Sequence, residues 1–85
     1  MSLHELNDAT TYVVGTKQTI RAIAEGQAKK VFLAKDADRF LQTEIEKLCQ
    51  ENQISIEGVS TMLELGRHVG IEVKAAVATI IGDEQ

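Results

Sequence analysis

Val31-Phe32-Leu33-Ala34 is bounded by Lys30 and Lys35 and followed directly by Asp36-Ala37-Asp38. An apolar run this short, without polar alternation, marks a strand covered on both faces, as in a parallel or mixed sheet. Asp36 and Asp38 are both candidate N-caps. Their short carboxylates accept from the unpaired N–H groups of a first helical turn and suit the positive end of its dipole. A helix is expected from there to about Gln50, with Leu41, Ile45 and Leu48 on one stripe and Asn52-Gln53 ending it.

Upstream of this core, Tyr12-Val13-Val14 is a brief β-type run closed by Gly15. From Lys17 to Glu25, Ile20, Ile23 and Ala24 recur at helical spacing, and Gly26 lies where a left-handed cap would sit. Residues 3–9 suit a short polar helix. Downstream, Ile54, Ile56 and Val59 mark a third strand, and Ser60 is a plausible N-cap for a helix carrying Leu63 and Val69. Gly70 suits its C-terminal cap, Ala75 to Ile81 reads as a last strand, and residues 82–85 form a polar tail. Strands alternating with helices in this order imply an α/β sandwich with the sheet in the middle.

Eighty-five residues suit one domain, here spanning residues 1–85, with one modest core. The composition, 44% hydrophobic and 26% charged, excludes global disorder. No run reaches the length a membrane span needs, so no membrane partner is expected. Met1-Ser2-Leu3-His4-Glu5 lacks the basic region and apolar stretch of a signal peptide. A lone cysteine, Cys49, permits no internal disulfide, and the expected compartment is the cytoplasm.

The net charge of −4 argues against broad, charge-driven nucleic-acid binding, and no DNA partner is expected. The charge is uneven, however. Residues 15–35 hold Lys17, Arg21, Lys29, Lys30 and Lys35 against Glu25, a sum of +4. Residues 40–64 hold Glu44, Glu46, Glu51, Glu57 and Glu64 against Lys47, a sum of −4. Two chemically distinct faces are expected, as binding surfaces or simply as solvated ones.

Val14-Gly15-Thr16-Lys17-Gln18-Thr19 is the junction richest in chemistry. A helix start after a glycine turn presents unpaired N–H groups and partial positive charge to a phosphate or a carbonyl-rich base edge. Lys17 and Arg21 are four apart and share a face, and Gln18 both donates and accepts. The plainer reading is a strand-to-helix turn capped by Thr16. The pattern is not a P-loop, because Gly15 is not followed directly by lysine.

At a second junction, Leu65-Gly66-Arg67-His68-Val69-Gly70-Ile71-Glu72-Val73-Lys74, Ile71 and Val73 read either as exposed loop residues open to a partner or as the first residues of the strand. His4 and His68 have no ligand neighbours at metal spacing, so neither a metal nor a cofactor is expected. Asp36 and Asp38 suit capping better than acid–base work, and Cys49 suits a buried structural thiol. With Phe32 in the buried run, Tyr12, Phe32 and Phe40 do not amount to an exposed stacking platform. No catalytic constellation supports an enzyme.

Four motifs in register resemble the ribosomal protein L7Ae family, whose members bind kink-turn RNA. They are Gly15 to Thr19, Val31 to Asp38, Leu48-Cys49-Gln50-Glu51, and Leu65-Gly66 through Gly70-Ile71-Glu72-Val73, and the resemblance spans residues 13–81. It is nearest to the small bacterial, ribosomal-protein-like members. It implies a three-layer α/β/α sandwich with a mixed four-stranded sheet. It also implies a surface for tandem sheared G·A pairs, made by the second helix's start, the loop after the second strand and the loop before the last.

Carried onto this chain, the resemblance brings the Gly15-Thr16 backbone close to RNA and sets Lys17 and Gln18, where the family commonly has Asn-Glu, at guanine edges. It puts Arg21 on phosphates, Lys35 and Asp38 in the second loop, and Ile71, Glu72 and Val73 over a flipped-out nucleotide. Met62 and Arg39 stand where several members have a basic residue and many have proline. The implied partner is structured RNA, with ribosomal RNA among the candidates, bound by a monomer whose acidic segment faces away. The competing expectation is a protein-interaction module of the same fold, docking through the acidic helix 38–50 or through Ile71 and Val73.

Overall fold

The computed structural model describes residues 11–82, in which strands and helices alternate. These are β1 (Thr11–Val14), α1 (Thr16–Ala24), β2 (Ala28–Ala34), α2 (Arg39–Glu51), β3 (Ser55–Val59), α3 (Met62–Val69) and β4 (Val77–Ile81). The helix expected over residues 3–9 and residues 83–85 of the polar tail lie outside the described residues.

The strands form one mixed sheet in the order β1-β4-β2-β3. β4 runs antiparallel to both β1 and β2, so β1 and β2 point the same way. β2 and β3 are parallel, with Val31 opposite Ile56 and Ala34 opposite Val59. A parallel pair needs a long crossover, and α2 supplies it.

The central position of β2 explains its unbroken apolar run. Val31 and Leu33 face one layer with Ile23 of α1, Ile45 and Cys49 of α2, and Val77. Phe32 and Ala34 face the other with Leu65 of α3, Ala75 and Ala78. Successive side chains alternate between two buried faces, so nothing along the run needs to be polar. The result is a three-layer α/β/α arrangement, as expected. β2 also reaches three residues further back than the apolar run. Lys30 lies over the Phe32 ring at 5.4 Å and pairs with Glu57 of β3 at 2.8 Å.

Several boundaries differ from the sequence expectation. Asp38 caps α2, accepting from the Leu41 N–H at 3.2 Å, but Asp36 does not share that task. Its carboxylate crosses to α3 and accepts from the Met62 N–H at 2.8 Å. Thr61, rather than Ser60, caps α3, with its hydroxyl accepting from Glu64 N–H at 3.0 Å. Thr61 still has extended backbone, φ −141° and ψ 160°, so the helix begins one residue later than expected. β4 begins at Val77, not Ala75, because Ala75 N–H donates to the Met62 carbonyl and not to a neighbouring strand. Gly70 adopts the left-handed conformation expected of it, φ 85°.

One buried polar pair joins helix to sheet. Thr79 and Thr19, both fully buried, share a hydroxyl–hydroxyl hydrogen bond of 2.8 Å. Cys49 is buried, and that burial raises its thiol pKa, which keeps it protonated and inert. Among the described residues no helix is long and apolar enough to cross a membrane.

Candidate nucleic-acid interface

Because β1 and β2 run the same way and β4 runs against them, three connections meet at one end of the sheet. Backbone hydrogen bonds tie them in a row. Gly15 N–H donates to Val77 O at 2.9 Å, Ala34 N–H to Ala76 O at 2.9 Å, and Lys35 N–H to Val59 O at 2.8 Å. One strand separates Gly15 from Ala34, a gap of about 10 Å. The start of α1, the loop after β2 and the loop before β4 therefore form one continuous rim.

The start of α1 differs from the other two described helix starts. Gly15 is its N-cap, at φ 116°, and no side chain caps it. Thr16, expected as a cap, is instead the first helical residue. The first turn carries no acidic residue, so its positive end is left for an outside acceptor. Gly15 is required by its backbone, since φ 116° is a conformation that side-chain-bearing residues rarely adopt, and the Gln18 side chain folds back over the turn to within 2.7 Å of where a Cβ would stand. Lys17, Gln18 and Arg21 line one concavity. Arg21 is exposed and pairs with Glu25 at 3.5 Å along the same helix, a pair too solvated to hold it firmly.

The second loop is stiffened from behind. Gln42 Nε2 donates to the carbonyls of Ala37 at 2.7 Å and Lys35 at 3.2 Å. The Lys35 chain lies across Gly58 of β3, where a Cβ would meet its Cε at 2.7 Å. The carboxylates of Asp36 and Asp38 both accept from backbone N–H groups. Two acids on this rim are thereby engaged in holding helix starts.

The third loop leaves α3 through Gly70 by a paired turn, with Gly70 N–H donating to Arg67 O at 3.1 Å and Ile71 N–H to Gly66 O at 3.0 Å. It then lies directly on the helix, where a Cβ on Gly66 would stand 2.1 Å from the Val73 carbonyl oxygen. Ala75 N–H donates to Met62 O at 3.0 Å and closes the loop against the start of α3. Val73 is 66% exposed, whereas Ile71 packs beside the Leu65 cluster. Of the two apolar residues expected to face a partner, only Val73 stands clear; Ile71 anchors the loop.

The ribosomal protein L7Ae/L30e/S12e/Gadd45 family model matches residues 2–85. The chain belongs to this family. A protein of Bacillus pumilus named as an RNA-binding protein is 40% identical over 81 residues, covering 95% of this chain and 99% of its own. Another so named, from Caldanaerobacter subterraneus subsp. tengcongensis, is 43% identical over 72 residues, covering 84% and 88%. A solved structure of a protein of unknown function from Bacillus halodurans C superposes with a TM-score of 0.77 at 25% identity, over 84% of this chain and 71% of that one. The family and its relatives' names agree with the expectation of a binding protein rather than an enzyme.

Within this family member the charge blocks do not map onto faces. Lys17 and Lys35 lie on the rim, but Lys29 and Lys30 sit at the far end of β2, about 17 Å away along the strand. The acidic segment is spread over α2, β3 and α3, which lie in three different layers, and Glu57 pairs with Lys30. That ion pair lowers the Glu57 pKa, by hydrogen bond first and by charge second. The expected single acidic face is therefore absent, because strand and helix alternation distributes neighbours in sequence among layers.

Phe32 is buried, as expected, and its ring lies 4.9 Å from that of His68 at a 59° tilt, which gives that histidine an aromatic contact. Among the described residues no cluster could hold a metal ion. Phe40 is 77% exposed on the second residue of α2, beside the second loop. It stands one position ahead of the Leu41–Ile45–Leu48 stripe, and that offset is the sequence signal for its exposure.

Proposed function

We propose that this chain binds structured RNA and recognises kink-turn elements through the rim formed by the start of α1 and the loops before α2 and β4. The observation that carries this reading is the α1 start. Unlike the starts of α2 and α3, it lacks a side-chain cap, and it presents Lys17, Gln18 and Arg21 together. The names of the relatives point to RNA as the ligand class. Base-edge hydrogen bonding requires few positive charges, and a kinked RNA opens a groove that a regular A-form duplex keeps narrow. A chain of net charge −4 can therefore bind through shape and edges, with Arg21 and Lys35 on nearby phosphates.

In this reading Gly15 and Thr16 bring backbone close to the RNA, Gln18 and Lys17 read guanine edges, and Val73 with Glu72, on the loop that Ile71 anchors, closes over an extruded nucleotide. Asp38 acts on the same rim by fixing the loop. The protein acts as a monomer in the cytoplasm, with ribosomal RNA among the RNAs it would meet. Titration calorimetry against a short kink-turn RNA, and against the same RNA with its G·A pairs replaced by Watson–Crick pairs, tests it. Tight binding to the first and loss with the second is expected. Equal affinity for both would overturn kink-turn recognition, and no binding to either would overturn the RNA reading.

A further inference from the structure

Phe40 is 77% exposed, whereas the other phenylalanine, Phe32, is 5% exposed. A single exposed apolar residue is ordinary on a protein surface, so what singles this ring out is where it stands. Its position is constrained by the fold. α1 and α2 pack on the same face of the sheet, and each follows one of two strands that run in the same direction. Their starts therefore lie side by side, about one interhelical spacing of 8–10 Å apart.

α1 packs over β1, β4 and β2 and touches α2, which packs against β3. The inward residues fix the helical phase: Thr19, Ala22 and Ile23 in α1, Ile45 and Cys49 in α2. At 100° per residue, Lys17 and Phe40 then both lie within about 20° of the direction pointing straight away from the sheet, on neighbouring helices that run the same way. An exposed ring thus stands beside the uncapped helix start.

The charge around it suits a polyanion. Lys17, Lys35 and Arg39 are exposed nearby, and Asp36 and Asp38 already accept from backbone N–H groups. Every nucleobase offers a π-face, and an aromatic side chain flanked by cations is the arrangement that captures an unstacked one. We infer that Phe40 is the stacking contact for one unpaired base of the bound RNA, extending the interface from α1 onto α2. This rests on the RNA reading of the same rim.

The test is the affinity of Phe40→Ala and Phe40→Trp for the short kink-turn RNA, alongside the unaltered protein. Loss of one base stack is expected to weaken Phe40→Ala by about 5- to 100-fold. Phe40→Trp is expected to bind at least as tightly as the parent. The slope of affinity against salt stays unchanged, because the ring neutralises no phosphate. Each unpaired nucleotide is then made abasic in turn, and at one position Phe40→Ala and the parent become equal.

Equal affinities of Phe40→Ala and parent for the intact RNA would overturn the inference and assign the ring to a protein contact. A loss that persists at every abasic position would overturn stacking as its cause. Failure of the parent to bind the RNA removes the RNA reading and this contact with it, an outcome distinct from parent binding with no effect of Phe40→Ala.

Discussion

Gly66 lies within α3, yet its hydrogen faces the loop that the RNA reading depends on. In Gly66→Ala, the new Cβ would stand 2.1 Å from the Val73 carbonyl oxygen, where ordinary contact begins at 3.4 Å. Helix and loop must separate by about 1.3 Å, the difference of those two distances. Alanine favours the helix over glycine by about 1 kcal/mol. Against that, overpacking a rigid backbone contact costs about 1–3 kcal/mol. The separation also stretches the bonds from Ile71 N–H to Gly66 O and from Ala75 N–H to Met62 O, each worth about 1 kcal/mol.

The opposing terms leave a net destabilisation of about 2 kcal/mol, a fall in Tm of about 10 °C for a domain of this size. Gly58→Ala is the control. Its Cβ meets only the Lys35 side chain, nearest at Cε, 2.7 Å away, and that flexible chain can swing away, so a change within about 0.5 kcal/mol is expected. Urea and thermal unfolding of both variants measure the contrast. Gly66→Ala unfolding at or above the parent would refute the reasoning that the loop rests on the helix backbone.

Gln18→Ala is expected to weaken kink-turn RNA binding by about 1–3 kcal/mol through a lost base-edge contact; calorimetry showing parent affinity would remove Gln18 from the contact map. Arg21→Ala lowers affinity with little change in selectivity and gives a shallower salt slope, read from binding isotherms at several salt concentrations. Thr79→Val removes the partner of the buried Thr19 hydroxyl and destabilises by about 1–3 kcal/mol, while Thr19→Val with Thr79→Val recovers part of the loss; denaturant midpoints that coincide for parent and Thr79→Val would contradict this. Glu57 has a lowered pKa in the folded protein, so its contribution is complete above the ordinary carboxylate pKa and is lost as pH falls through the lowered value. In carbon-13 NMR its titration midpoint should rise in Lys30→Met, and an unmoved midpoint would show that Lys30 is not the cause.

The order of elements was legible from local chemistry. Alternation of short apolar runs with helical stripes, glycines at left-handed turns and Asp38 as a cap are written in neighbouring residues, and each came out where expected. The α1 start was legible for the same reason: Gly15 followed by a polar helix start needs no distant contact to be recognised. The cap of α3 and the start of β4 lie one and two residues from the sequence expectation, at Thr61 and Val77, since an element's end depends on which partner takes its backbone groups.

What the tertiary structure alone decided is where separate stretches meet. Asp36 reads as a cap for the helix two residues on, but the fold sends its carboxylate to Met62, twenty-six positions away. The basic and acidic segments read as two faces, and the sheet order instead scatters them. Nothing in its neighbours assigns Gly66 a role, and only the packed loop shows that its missing Cβ is space occupied by the Val73 carbonyl. Phe40 reads as one of three scattered aromatics, and becomes a surface feature once Leu41 and Ile45 have claimed the inward stripe beside it. Local sequence determines what each segment is, because helix, strand and turn preferences act over a few residues. Which segments share a rim is set by strand order and crossover handedness, and those are settled only when the two cores close.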